Sequence, residues 1–187
     1  MPMVFLNLKE LELGWCPSLR NMPDLFPSLQ KLALQDVKST DTVRSIINNI
    51  TSLTSLFWVG SFETVSFEEV VLMLGKNTLL RNLSILKCEG LETFPHLPPL
   101  EELEILYSPK LKIEASQLPC LTRMSIWNIN AFVVDTLWSN KLIHLSITDV
   151  EQFQQLPVDF LFNNEHLHEI YITRCYKFQG FLSSNKK

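Results

Sequence analysis

The frame L-x-x-L-x-L recurs along the chain, and nothing else in the sequence constrains the fold as strongly. Its first leucines are Leu8, Leu29, Leu53, Leu80, Leu100, Leu121, Leu142 and Leu167. Three positions on stand Leu11, Leu32, Leu56, Leu83, Leu103, Met124, Leu145 and Ile170. Five positions on stand Leu13, Leu34, Trp58, Ile85, Ile105, Ile126, Ile147 and Ile172. Every one of these positions is apolar, whereas the overall apolar content of 46% would fill about half of them by chance. Successive starts lie 21, 24, 27, 20, 21, 21 and 25 residues apart. A unit of that size cannot bury its own apolar face, but stacked neighbours share a continuous core. The step of two between the second and third apolar positions reads as a short strand with alternate residues inward. The sequence therefore predicts a solenoid of eight parallel strands, with the rest of each unit returning along the other side.

The return path has its own pattern. Eleven residues after the start come Leu19, Leu91, Leu111, Phe132, Phe153 and Phe178, and fourteen after come Met22, Val43, Phe67, Phe94, Leu156 and Phe181. The longer units have room for helices. In "STDTVRSIINNIT", Val43, Ile46, Ile47 and Ile50 share one helical face, with Ser39, Thr40 or Asp41 as the N-cap. "SFEEVVLMLGK" carries a capping box of Ser66 and Glu69, and "PVDFLFNN" is long enough for a short helical turn. The shortest units should return through extended or 3₁₀ segments. Pro23, Pro27, Pro95, Pro98, Pro99, Pro119 and Pro157 all fall between the predicted strands, where a missing N–H is tolerated.

Eight residues after the start stand Cys16, Val37, Ser61, Cys88, Ser108, Ile129, Val150 and Cys175. A cysteine here is a small apolar group with a weak S–H donor for the turn. With strands about 4.8 Å apart, Cys16 and Cys88 sit roughly 14 Å apart, beyond disulfide reach. Reduced thiols, and the lack of a basic n-region in the opening "MPMVFLNLKELELGW", point to a reducing compartment. The sequons at Asn49 and Asn82 are then chance matches. The formal charge of −4 and the absence of a basic stretch beyond Lys186-Lys187 argue against nucleic acid. No apolar run reaches the length of a membrane span.

The repeat lengths fall in the leucine-rich-repeat window. "LKELELGWCPSLRNMP", "LRNLSILKCEGLETFP", "LEELEILYSPKLK" and "LHEIYITRCYKF" resemble the leucine-rich-repeat domain of plant intracellular nucleotide-binding immune receptors. Phe26-Pro27, Leu97-Pro98 and Leu118-Pro119 match that family's habit of placing proline before the next leucine. Val37 and Ser61 depart from its cysteine column. The resemblance implies an α/β horseshoe segment, with strands on the concave side and loops, 3₁₀ turns and short helices on the convex side. It spans one domain, residues 1–187. It also implies a non-enzymatic module that senses a pathogen effector or host protein and contacts other domains of the same receptor. The location implied is cytoplasmic, with the nucleus as a second site. The sequence contains no G-x-x-x-x-G-K-[ST] loop, and Leu8 opens a unit almost at once, so a fragment of a longer receptor is expected. Substrate-binding repeats of an F-box ubiquitin-ligase adaptor are the alternative, which an F-box helix trio upstream would favour. Extracellular receptors would instead show regular 24-residue units with asparagine in the cysteine column.

Residues between the inward positions face the concave side. They include Trp15, Phe57, Leu86, Leu106, Tyr107, Arg123, Trp127, Tyr171 and Arg174, the candidate partner-binding set. Aromatic groups on a rigid sheet are what protein recognition uses. Glu101, Glu102 and Glu104 gather carboxylates on one strand, but Arg81 and Arg123 on adjacent strands should pair with the first two. His166 and His168 flank Leu167 without a partner at metal spacing, and read as surface residues. No nucleophile elbow or zinc motif is present, so no catalytic residue, metal or cofactor is expected.

Overall fold

The computed structural model describes all residues except 1–3, 21, 24, 38, 61–78, 93, 95–99, 115–117, 134–140 and 183–187. Eight strands form one sheet: β1 (Glu10–Gly14), β2 (Lys31–Gln35), β3 (Ser55–Val59), β4 (Asn82–Leu86), β5 (Glu102–Glu114), β6 (Arg123–Val133), β7 (His144–Thr148) and β9 (Glu169–Thr173). Each pairs in parallel with the next, so the chain is a parallel β-solenoid with few helices. The register follows the leucine frame: Leu32 opposes Leu56, Leu83 opposes Leu103, and Ile105 opposes Ile126. On the return side β8 (Gln155–Pro157) pairs in parallel with β10 (Gly180–Leu182). Two helices are described, α1 (Thr40–Asn48) and α2 (Val158–Asn163).

The backbone repeats the same bonds from rung to rung. The carbonyl of Lys9 accepts from the N–H groups of both Gln30 and Lys31, and the carbonyl of Gln30 accepts from Thr54 and Ser55. The same fork closes onto Thr54, Arg81, Glu101, Thr122 and Ile143. Two backbone donors thus share one carbonyl at the entry of each strand of the large sheet after β1. This fixes the register before any side chain contributes.

Each strand ends at a corner. The residue seven after the start takes a left-handed conformation in Trp15, Asp36, Lys87, Tyr107, Asn128, Asp149 and Arg174, with φ between 48° and 58°. Such a residue costs roughly 1–2 kcal/mol when it is not glycine. The one glycine in this column, Gly60, does not have positive φ. It is needed for another reason: a Cβ there would lie 2.8 Å from the carbonyl oxygen of Lys87. After the corner comes the cysteine column. Its side chains donate back to the residue two before: Cys16 Sγ to Gly14 O (3.2 Å), Cys88 Sγ to Leu86 O (3.9 Å), Ser108 Oγ to Leu106 O (3.5 Å) and Cys175 Sγ to Thr173 O (3.4 Å). Its carbonyls accept from the apolar residue three on, as Leu19, Leu91, Phe153 and Phe178 donate to Cys16, Cys88, Val150 and Cys175. The turn therefore drops that apolar side chain back into the core.

Ser39 is the cap of α1, its Oγ accepting from the N–H of Thr42 at 3.2 Å. The "SFEEVVLMLGK" helix lies outside the described residues. The return paths of the fifth and sixth units contain no 3₁₀ stretch among the described residues. They are extended, one of the two forms expected: β5 and β6 run on past the corner and pair again from Lys112–Ala131 to Glu114–Val133. Both units are 21 residues long, so their return paths stay side by side. The register slips between Ser108 and Lys112, and Pro109 occupies that slip. A residue without an N–H is at home where the ladder is interrupted.

The core runs between the sheet and the return path, built from the three frame columns with Phe26, Leu91, Phe94, Leu111, Phe153, Leu156 and Phe160. Burial is complete in the middle units and falls off at both ends. Leu8, Leu11, Leu13, Leu167 and Ile172 are only partly buried, because each has a neighbouring rung on one side alone.

Candidate functional site

The open face of the sheet is built from the strand residues that the leucine frame leaves pointing away from the core. Six residues after the start, the third to sixth rungs carry Val59, Leu86, Leu106 and Trp127 on consecutive strands. These are register partners: Val59 with Leu86, Leu86 with Leu106, and Leu106 with Trp127. Four adjacent rungs thus lay down an unbroken apolar stripe, half-buried and facing solvent. Tyr107, at the corner beyond Leu106, tilts against Trp127 with ring centroids 4.9 Å apart. The left-handed backbone at Tyr107 turns the ring over its neighbour, and the ring remains 37% exposed. Trp127 Nε1 is shielded and has no acceptor among the described residues.

Closer to the strand entries the same face is polar. A groove of about 460 Å³ runs from Ser55 and Phe57 to His144, with Ser84, Glu104 and Arg123 along it. Ion pairs join adjacent rungs: Lys31 with Glu10 (2.7 Å), Arg81 with Glu101 (3.4 Å) and Arg123 with Glu102 (3.6 Å). The two arginine pairs are those expected from the register. Glu104 is different. Its Oε2 accepts from Ser84 Oγ at 2.7 Å, and serines oppose it on both neighbouring strands.

The candidate residues divide into a group of six and three outliers at the two ends. Phe57, Leu86, Leu106, Tyr107, Arg123 and Trp127 lie together on β3 to β6. Phe57, Leu86, Leu106 and Trp127 are half-buried rather than fully outward, since neighbouring rungs cover their flanks. Trp15, 76% exposed, stands at the first corner, while Tyr171 and Arg174 belong to the last rung. Seven rung spacings of about 4.8 Å put Trp15 some 34 Å from Arg174. One surface cannot gather these ends without spanning the whole sheet.

Strand-entry positions other than Arg123 and Glu102 were not singled out from sequence, and they carry a further cluster. His144 Nδ1 lies 2.7 Å from Glu169 Oε2, and its ring is 5.5 Å from that of Tyr171. The same period, read two residues after each start, would have exposed this column. His166 Nε2 lies 4.0 Å from Oε1 of its neighbour Glu165. Among the described residues no group of histidine, cysteine and carboxylate side chains is placed to hold a metal, and no helix is long and apolar enough to cross a membrane.

The four cysteines are free thiols. Burial pushes the Cys88 thiol up to about 12, the nearby Gly60 backbone opposing the shift slightly. Burial also raises Cys175. These thiols stay protonated near neutral pH and serve as turn donors rather than nucleophiles. Comparison with protein-family models, with curated proteins and with solved structures found no match.

Proposed function

We propose that this chain is a leucine-rich-repeat horseshoe segment acting as a protein-recognition and autoregulatory module of a plant intracellular immune receptor. The observation that carries the recognition half is the apolar stripe of Val59, Leu86, Leu106 and Trp127 on rigid, hydrogen-bonded strands. A contiguous apolar surface held by backbone pairing binds without ordering cost, which is what a docking face requires. Aromatic groups at its centre, Trp127 and Tyr107, are the residue types that dominate protein interfaces.

The receptor assignment rests on the resemblance of the repeat motif. It is supported by the cysteine column and its turn bonds, and by the prolines between strands. Free thiols in that column suit a cytoplasmic location. The chemistry would be differential binding. The face contacts other receptor domains in the resting state, and an effector or host protein shifts the balance through unequal contacts with the two states.

The test is photo-crosslinking from position 127 or 107, with a benzophenone side chain, in the full-length protein in resting and stimulated cells. Crosslinks to receptor domains at rest, exchanged for another protein on stimulation, are expected. If neither position captures protein in either state, the proposal fails.

A further inference from the structure

We infer that the open face takes an extended polypeptide segment whose basic side chain meets Glu104 and whose apolar side chain, two residues away, meets Leu86, Leu106 and Trp127. This rests on the recognition reading above and adds the chemistry of the partner. Three carboxylates crowd the entry of β5, but two are engaged, Glu101 with Arg81 and Glu102 with Arg123. Among the described residues Glu104 accepts from the Ser84 hydroxyl at 2.7 Å, and its other rung neighbour is Ser125. It is an exposed anion at the centre of the groove with no cation within ion-pair distance among the described residues. Neutral hydroxyls on both sides leave that charge uncompensated, so a cationic group is the complementary occupant.

Spacing sets the rest. Glu104 and Leu106 are two residues apart on β5, so their side chains emerge from the same face about 6.6 Å apart. An extended ligand running along the strand has the same repeat and places alternate side chains at the same interval. A basic residue on Glu104 therefore brings the second residue beyond it over Leu106, flanked by its partners Leu86 and Trp127. A nucleic acid does not fit, because its phosphates would face Glu104 and Glu102. A bilayer does not fit either, since the stripe is one residue wide and bordered by charge.

The experiment measures fluorescence polarisation of labelled nine-residue peptides against the whole 187-residue chain. The peptides have a Gly/Ser background around a central Arg-Ser-Phe, Glu-Ser-Phe or Arg-Ser-Ser. Arg-Ser-Phe should bind at least tenfold tighter than either of the others. Glu104→Lys should invert the preference towards Glu-Ser-Phe, and Leu106→Ser should abolish the advantage of phenylalanine. Glu104→Gln, at an exposed position that leaves the fold intact, should by itself remove most of the charge preference. Absence of a charge preference, or one that survives Glu104→Lys, overturns the inference. So does a chain that sediments as a dimer dispersed by Leu106→Asp, which would put a second copy on the stripe. Crosslinking at position 127 without any preference for the basic peptide leaves the recognition reading intact and removes this one.

Discussion

The fourth and eighth rungs carry the same frame and bury it differently. Leu83 and Ile85 are closed off from solvent, while Ile170 and Ile172 remain partly open. The residue types match, the strand lengths match, and the backbone fork at the strand entry is the same. What differs is the number of neighbours: β4 lies between β3 and β5, whereas β9 has β7 alone. In a solenoid, burial belongs to the interface between units and not to the unit. Identical sequence positions should therefore have unequal energetic weight in the middle and at the ends.

The largest contrast should appear in thiol chemistry. Cys88 in the middle and Cys175 at the end share a column and a turn bond. A thiol raised from 9.0 to about 12 carries about a thousandfold less thiolate at pH 8 than a free one. Alkylation followed by mass spectrometry should find Cys88 protected by about that factor until the chain unfolds, with Cys175 reacting well before it. The sign of the linkage follows. Because the folded value lies above the unfolded one, the contribution is complete below about pH 9 and is lost as pH rises through 12. Cys88→Val should flatten that alkaline loss of stability. Equal alkylation rates at the two sites would break the contrast between middle and end.

Core truncation comes next. Leu103 is buried between two rungs, and Leu11 holds the same position on the first rung, half open. Leu103→Ala should cost about 3 kcal/mol in urea unfolding, and Leu11→Ala about 1 kcal/mol, because part of the latter side chain never left water. Equal costs would mean that the end rungs are covered.

The corners sharpen the comparison further. Gly60→Ala pushes a Cβ against the Lys87 carbonyl and the Cys88 sulfur and should lose about 2 kcal/mol. Lys87→Gly, in the opposite direction, relieves a left-handed lysine and should gain about 1 kcal/mol. Asn128→Gly should gain less, since asparagine tolerates that conformation. Thermal midpoints of the three variants check the order. Trp15→Gly, at the end, should raise the midpoint as Lys87→Gly does, because backbone strain does not depend on neighbouring rungs.

Much of the ladder was legible because its signal is periodic. Leu83 faces Leu103 and Ile105 is buried, as the spacing of the leucines requires. Pairing of Arg81 with Glu101 and of Arg123 with Glu102 was legible for the same reason, since a fixed register names cross-strand neighbours. The left-handed corner was not. It falls on tryptophan, lysine, tyrosine and arginine as well as on Asp36, Asn128 and Asp149, so only three of its seven residues are types that favour positive φ, while the glycine in the column has another purpose. The extended return of β5 and β6 was legible from the short unit length, but their renewed pairing beyond the corner was not, because Pro109 marks a slip that composition alone reads as a loop. The site was half legible. Its aromatic members stood out individually, whereas Val59 carries no aromatic or charge signal and joins the stripe through its pairing with Leu86, and the His144–Glu169 pair shares a column in which only the Glu102–Arg123 pair was singled out.

The smallest effect is also the one that isolates the open face from the core. The Arg123–Glu102 pair sits in the middle of the sheet and the Lys31–Glu10 pair near its end. Both are exposed to water on the same face, so neither is desolvated by the rungs around it. Double-mutant cycles should give about 0.2–1 kcal/mol for each, falling with added salt, with no systematic difference between them. That equality is the counterpart of the inequality expected for Leu103 and Leu11. The inward columns depend on neighbours because stacking removes them from solvent, whereas charges on the open face keep their water wherever they stand. A central pair worth several kcal/mol would show that the middle of the open face is itself shielded. The groove around Glu104 would then be filled by the chain and closed to a partner.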